Sequence, residues 1–410
     1  MNRPRPGGLC LLLPTPEETD LLRACLWSGP AGREAWERWQ GRAGGVHGGL
    51  GDEAVKPLLP LLYHAVRRND LAVEPRVRAT LGAAALAETR RSAAYHRICA
   101  RACAAVEEAS VPFLVLTGAA LGDTVYPAGA LRHSHDVDLL VEARDLDCAT
   151  EALRRGGFTP VPGRGRDVEQ RELRDDSGLP IQLHSRLLPV RYYDMALDGI
   201  RDRAQVSAIA GRHLSTLSAA DHLVHVCGLA ACAGRGRSLK WVFDAWYLIA
   251  RHPELDGQAL LRMASDARAV LPLTVLLGYL ADQLDARLPN QLVAGLAAAA
   301  ARTDRTAREV ALFGVRAGGR GTLRNLWWAT RGWRDGADLV RWMLVPTPVS
   351  LRFGWRRHHS RPVAAGYVLR PLSYLLRRLG SWRAPPRRRP WWPSPAADSG
   401  RDPACRSRPR

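Results

Sequence analysis

Asp136 and Asp138 stand one residue apart in LRHSHDVDLLV (residues 131–141), inside an otherwise apolar run. In a strand, alternate residues share a face, so both carboxylates point one way. Val137, Leu139 and Val141 then point the other way, into a core. Two carboxylates held side by side repel one another unless a cation sits between them. Two oxygen ligands on one face suit Mg²⁺ bridging the oxygens of a triphosphate. Taken alone, a capping pair or a solvent-exposed pair of acids explains the same two residues.

The elements around this segment are those that such chemistry needs. FLVL (113–116) is bounded by Pro112 and by Thr117-Gly118 and suits a buried strand, and GAALGDTVY resumes as a helix. A glycine at a strand-to-helix turn lets a ligand approach the backbone, and the helix N-terminus offers N–H groups to phosphate. An ordinary tight turn fits these residues too. After the acids, ARDLDCATEALRRGGF reads as a helix stopped by Gly156-Gly157. Residues 167–187 read as a hairpin: DVEQRELR, the turn DDSG, then LPIQLHSRLL.

This α/β unit lies between helical regions. Residues 15–110 carry apolar and small side chains at helical spacing, and so does the chain from about 218 to 345. Beyond about 383 there is no periodicity, and a disordered tail is expected. The expected division is a helical region 1–110, a core 111–190, a helical region 191–382 and a basic tail 383–410. The stretch PVAAGYVLRPLSYLLRRLGSW (362–382) interleaves Leu and Tyr with Arg. It reads first as a docked amphipathic helix and second as a peripheral contact to an anionic membrane surface.

The totals narrow the function classes. With 410 residues and 46% apolar side chains the chain can bury a sizeable core. The formal charge of +19 is concentrated, since residues 321–410 hold 19 Arg, no Lys and four Asp. A nucleic-acid interface would need its basic residues spread over an ordered face, so nucleic acid is not the expected partner. RAVLPLTVLLGYLADQL is too short and too charged to span a bilayer. The apolar run after the N-terminus is shorter than a secretory core, so a cytoplasmic location is expected. Eight cysteines without a CxxC pair suggest neither a zinc site nor a disulfide framework.

The order Thr117-Gly118, seventeen residues, DVDLLV, a helix ending in GGF, and a hairpin ending in Ile181-Gln182-Leu183-His184 resembles a known family. It is similar to the uncharacterised nucleotidyltransferases of the polymerase-beta-like superfamily. LLPLLYHAVR (58–67), DHLVHVCGLA (221–230), SLKWVFDA (238–245) and VPTPVSLRFGW…YVLRPLSYLL (345–376) also resemble family segments. The resemblance implies an α/β fold: a small nucleotidyltransferase core with a mixed sheet and helices, flanked by mostly α-helical N- and C-terminal regions. It further implies transfer of a nucleoside monophosphate from an NTP, usually ATP, to a small-molecule or peptide acceptor. Asp136 and Asp138 would bind Mg²⁺ or Mn²⁺, and the Thr117-Gly118-Ala119 turn would hold phosphates.

The chain departs from the family pattern at the third acid, where Gln182 stands. An amide is no base and a poor metal ligand. Thr117 replaces a lysine that family members often carry, and Ala119 replaces the serine common in the wider superfamily. Weakened chemistry is therefore one expectation, and a nucleotide-binding module acting through a partner protein is the alternative. Glu172 would stand opposite Gln182 if the hairpin loop has three residues, and a two-residue loop would put another side chain there. His184 shares the face of Gln182 and reads as packing or as an acceptor contact. Lys240 and Asp244, four apart on one helix face, suggest a phosphate contact held by a carboxylate, or a plain surface ion pair. His222 and His225 read as core or surface histidines, since no third ligand has metal spacing.

Overall fold

Thr15 starts the first helix, α1 (Pro16–Leu26), through a reciprocal cap. Its hydroxyl accepts from the Glu18 N–H while the Glu18 carboxylate accepts from the Thr15 N–H, which satisfies two otherwise orphaned donors. The computed structural model describes residues 12–42, 55–161, 170–188, 197–233 and 238–302, with fragments at 333–334 and 336–337. The expected tail, the 362–382 amphipathic stretch and the family-like segment at 345–376 lie outside the described residues. Among the described residues no helix is long and apolar enough to cross a membrane.

Three more helices complete the N-terminal region: α2 (Gly29–Arg42), α3 (Leu59–Arg68) and α4 (Pro75–Glu108). The last runs for 34 residues, and its second half buries Ile98, Cys99, Ala102, Cys103 and Val106 at three- and four-residue spacing. Cys99 and Cys103 pack there as small buried side chains, their Sγ atoms 3.9 Å apart.

Then come β1 (Phe113–Val115), α5 (Thr117–Thr124), β2 (Val137–Val141), α6 (Leu146–Arg155) and the strands β3 (Thr159–Pro160), β4 (Gln170–Arg174) and β5 (Pro180–His184). After a short helix α7 (Leu197–Asp202), β6 (Gln205–Ile209) and β7 (Arg212–Thr216) form a further hairpin. The seven strands make one mixed sheet in the order β3-β4-β5-β2-β1-β7-β6. Central β2 is antiparallel to β1 and parallel to β5. The C-terminal helices are α8 (Ala219–Ala233), α9 (Lys240–Arg251), α10 (Gly257–Asp266), α11 (Val270–Leu284) and α12 (Asn290–Ala301).

The sheet separates two cores. On one face Val137, Leu139 and Val141 of β2 join Ile181 and Leu183 of β5, Leu173 of β4, and the buried sides of α4 and α6. On the other face Leu114 and Leu140 join the cluster built by the N-terminal helices and by α8 to α12. Fully burying such a side chain stabilises by about 1.5–3 kcal/mol, so the period-two pattern fixes which way Asp136 and Asp138 face.

Two turns decide registers. The β4–β5 loop is closed by a hydrogen bond from the Asp175 N–H to the Leu179 carbonyl, which leaves three residues in the loop, with Gly178 at φ +82°. Glu172 therefore pairs with Gln182. The β6–β7 hairpin was not expected, because its stretch was assigned to the C-terminal helical region. Its two-residue turn is Ala210-Gly211, both at positive φ. Such turns usually carry Asn-Gly, and Ala210 hides that signal. The Asp123 carboxylate accepts from the Ala210 N–H at 2.8 Å and holds the strained residue in place.

Gly178→Ala should lower stability by about 1–2 kcal/mol, since a Cβ is disfavoured at positive φ; Gly178→Asn should lower it less. Urea unfolding of the two variants measures the difference.

Candidate active site

Asp136 lies immediately before β2 and Asp138 is its second residue. In the parallel register Asp138 pairs with Gln182 of β5, and Gln182 pairs with Glu172 of β4. One row, Asp138–Gln182–Glu172, thus crosses the sheet on the face opposite Val137 and Leu139. Each member has its own partner. His184 Nε2 lies 2.9 Å from Asp138 Oδ1. The Gln170 amide donates to Gln182 Oε1 at 3.0 Å. Arg174 donates to Glu172 Oε1 through Nε and Nη2 at 3.1 and 3.0 Å.

The two acids differ in electrostatics. Burial works to raise the Asp138 carboxyl, but the hydrogen bond and charge of His184 hold it below its ordinary value. Asp136 is pushed up to about 7 by burial and then by the Asp138 charge, against the pull of Lys240 and other cations. Two carboxylates crowded on one face cannot both ionise comfortably without added positive charge.

The Thr117-Gly118 turn meets these acids from α5. No side chain caps that helix, so its first-turn N–H groups face outward as a helix N-terminus does toward an anion. A Cβ at Gly118 would lie 3.2 Å from the Asp136 carbonyl oxygen and 3.6 Å from Ser134 Oγ. The close approach of two backbone segments is what calls for glycine here.

Arg132 ties the turn to the rest of the molecule. Its Nε and Nη2 donate to Asp244 Oδ1 and Oδ2 at 2.8 and 2.9 Å. Its Nη1 donates to the Gly118 carbonyl and to Ser134 Oγ, both at 3.2 Å. Tyr126 donates its hydroxyl to Asp244 Oδ1 at 2.6 Å. Burial opposes the Arg132 charge, and the Asp244 carboxylate more than offsets it.

These residues surround a cleft of about 250 Å³ lined by Thr117, Gly118, Ser134, Asp136, Asp138 and Lys240, with an apolar wall that includes Val226, Leu239 and Trp241. Lys240 opens α9 and donates to the His133 carbonyl at 3.4 Å. Burial, followed by the Arg132 charge, lowers its hold on a proton. His222 and His225 of α8 are both buried.

Of the residues singled out from the sequence, Thr117, Gly118, Asp136, Asp138 and Lys240 meet in one cleft. Ala119 instead borders a small cavity behind the turn, and Gln182 sits beside the cleft with its amide engaged by Gln170. Two expectations need correction. Asp244 is neither at the surface nor the partner of Lys240, because the buried Arg132 takes both its oxygens. His184 does more than pack, because it bonds to Asp138. Arg132 lies in the LRHSHDVDLLV segment that resembles the family, but nothing local in the sequence indicates its partners, and Ser134 carried no signal. Among the described residues no group of three or more His, Cys, Asp or Glu side chains is arranged to hold a metal on its own.

Residues 54–285 match the uncharacterised nucleotidyltransferase family. No curated protein matches the chain. Among solved structures, the chain is similar to an antigenic nucleotidyltransferase-like protein from Paracoccidioides brasiliensis, at 18% identity over 49% of this chain and 95% of that one, with a TM-score of 0.33. The family match takes in every element from α3 to α11, the whole sheet included, so it includes every residue that lines the cleft from Thr117 to Asp244. This chain belongs to the uncharacterised nucleotidyltransferase family.

Proposed function

We propose that the cleft transfers a nucleoside monophosphate from an NTP, ATP being the first candidate, to an oxygen of a small-molecule or peptide acceptor. The observation that carries this reading is the pair Asp136 and Asp138, crowded on one face at the floor of a cleft that also holds a glycine turn and a lysine. Two carboxylates without a full protein cage suit Mg²⁺ or Mn²⁺, which commonly bind through one or two carboxylates together with substrate phosphates. A cation held by Asp136 and Asp138 would neutralise phosphate charge and polarise the phosphoryl oxygens.

The chain's own residues supply the rest. The Thr117 and Gly118 N–H groups, with Ala119 behind them, offer donors to phosphate oxygens. Lys240 adds a positive charge on the opposite wall. His184 keeps Asp138 ionised and oriented. In the transfer the acceptor oxygen bonds to the α-phosphorus, the bond from that phosphorus to the bridging oxygen breaks, and pyrophosphate leaves. Gln182 cannot take the acceptor's proton. Glu172 pairs with Gln182 in the hairpin register, as a relocated acid would require, yet Arg174 engages its carboxylate. The proton therefore passes to solvent, and an acceptor that ionises readily suits the site best.

Gln182 also supports a second reading, nucleotide binding without turnover by a module that acts through a partner. The purified chain incubated with Mg²⁺ and α-labelled NTPs separates the two. Label transfer with pyrophosphate release, lowered roughly 10²-fold or more in Asp138→Asn, supports the enzyme. Cation-dependent NTP binding without transfer supports the module, and no binding overturns both.

Asp136 must lose a proton to bind a cation. Mn²⁺ affinity, followed by electron paramagnetic resonance, should therefore weaken about tenfold for each pH unit below about 7. Asp136→Asn should remove that slope.

The same shift has a stability consequence. A carboxyl whose folded value is raised contributes nothing adverse below the ordinary carboxylate range, destabilises the fold increasingly as pH rises from that range to about 7, and adds no further loss above it. The thermal midpoint of the metal-free protein should fall between about pH 4 and about pH 7 more in the wild type than in Asp136→Asn.

A further inference from the structure

The Arg132 side chain is 7% exposed in the residue as a whole, and it lies at the rim of the cleft. Each of its three nitrogens donates to a protein oxygen: Nε and Nη2 to Asp244, Nη1 to the Gly118 carbonyl and Ser134 Oγ. Its charge is matched by the Asp244 carboxylate. Such a guanidinium is spent on the protein and is not a phosphate ligand. Its two ends grip different parts of the molecule. One end holds α9, whose first residue is Lys240. The other holds the glycine turn and the segment that leads into Asp136, and a Cβ at Gly118 would lie 3.9 Å from Arg132 Nη1.

We propose that Arg132 is a positioning residue which, anchored on Asp244 of α9, holds the Thr117-Gly118 turn, the Ser134–Asp136 segment and Lys240 in one fixed relation, so that triphosphate affinity depends on a buried ion pair contributed jointly by the core and the C-terminal helical region. This rests on the reading of the cleft as a nucleotide site. Planarity matters to the device. A guanidinium offers five donors in a rigid fork, whereas a lysine ammonium on the same stem is a single point of charge. Lysine can neutralise Asp244 but cannot span Asp244, Gly118 and Ser134 together.

Arg132→Lys, Arg132→Met, the double variant Arg132→Met/Asp244→Leu and Tyr126→Phe are compared with the wild type. Thermal midpoint, affinity for labelled ATP in Mn²⁺, and kcat and KM where transfer is measurable are the readouts. Arg132→Lys should stay folded and weaken ATP binding about tenfold or more, with KM rising and kcat at saturation little changed. Arg132→Met leaves Asp244 buried and unpaired and should unfold at a lower temperature. Replacing both charges by apolar side chains can restore such a loss, so the double variant should regain its midpoint while ATP affinity stays weak. Tyr126→Phe, which removes only the third bond to Asp244, should bind ATP within about threefold of wild type. Recovery of affinity together with the midpoint in the double variant would make Arg132 merely structural and overturn the proposal. Unchanged ATP binding in a folded Arg132→Lys would overturn it too, and that variant decides if the double variant does not fold. A folded wild type that binds no NTP would instead sink the nucleotide-site reading itself.

Discussion

A positive and a negative charge buried together, Arg132 and Asp244, set the condition that the remaining structure has to meet. Both side chains are 6% exposed. Removing either charge from water is expensive, and their mutual attraction repays this only when the geometry is close to ideal and the remaining donors are satisfied. Here the fork meets both carboxylate oxygens, Tyr126 adds a further donor, and Gly118 and Ser134 take the third nitrogen. Separating Arg132 from Asp244 would strand a charge in the interior, so α9 cannot move against the sheet without disturbing the turn at Thr117. What reads in the sequence as a small core with a separate helical region behaves physically as one site-bearing unit.

The sheet explains how polar chemistry is tolerated beside an apolar interior. The face that carries Val137, Leu139, Ile181 and Leu183 is closed by α4 and α6. The opposite face is apolar under the C-terminal helices, at Leu114 and Leu140, and turns polar from Asp138 outward through Gln182 and Glu172. Along that row the environments diverge. Asp138 is settled by the hydrogen bond to His184, whereas Asp136 is raised by burial and then by the charge of Asp138. Two like groups whose environments push their proton affinities apart are a usual mark of a functional site.

Much of this was legible beforehand, for identifiable reasons. The strand at 137–141, the turn at Thr117-Gly118 and the hairpin ending at His184 announce themselves through period-two alternation and turn residues, both of which are local. The shared face of Asp136 and Asp138 follows from the same alternation. The β6–β7 hairpin stayed hidden because Ala210 occupies a positive-φ turn position without the usual Asn or Gly. The partners of Asp244 and His184 were out of reach for a different cause. Spacing on a helix says that Lys240 and Asp244 share a face, but not that a buried arginine 112 residues earlier in the chain claims both carboxylate oxygens. The Glu172 register depended on whether the loop holds two or three residues, and DDSG permits either.

The parallel pairing of β2 with β5 bears on how the molecule acquires its site. A parallel neighbour cannot be reached by a tight turn, so Asp138 meets Gln182 only after α6 and the β4–β5 hairpin have closed the intervening chain. The Arg132–Asp244 contact spans a longer loop still. Loop-closure entropy is met before such non-local contacts return any energy, which slows their formation. The cleft therefore depends on non-local contacts. α4, α6 and the hairpins are held largely by local contacts, whereas the cleft exists only once distant parts of the chain have met.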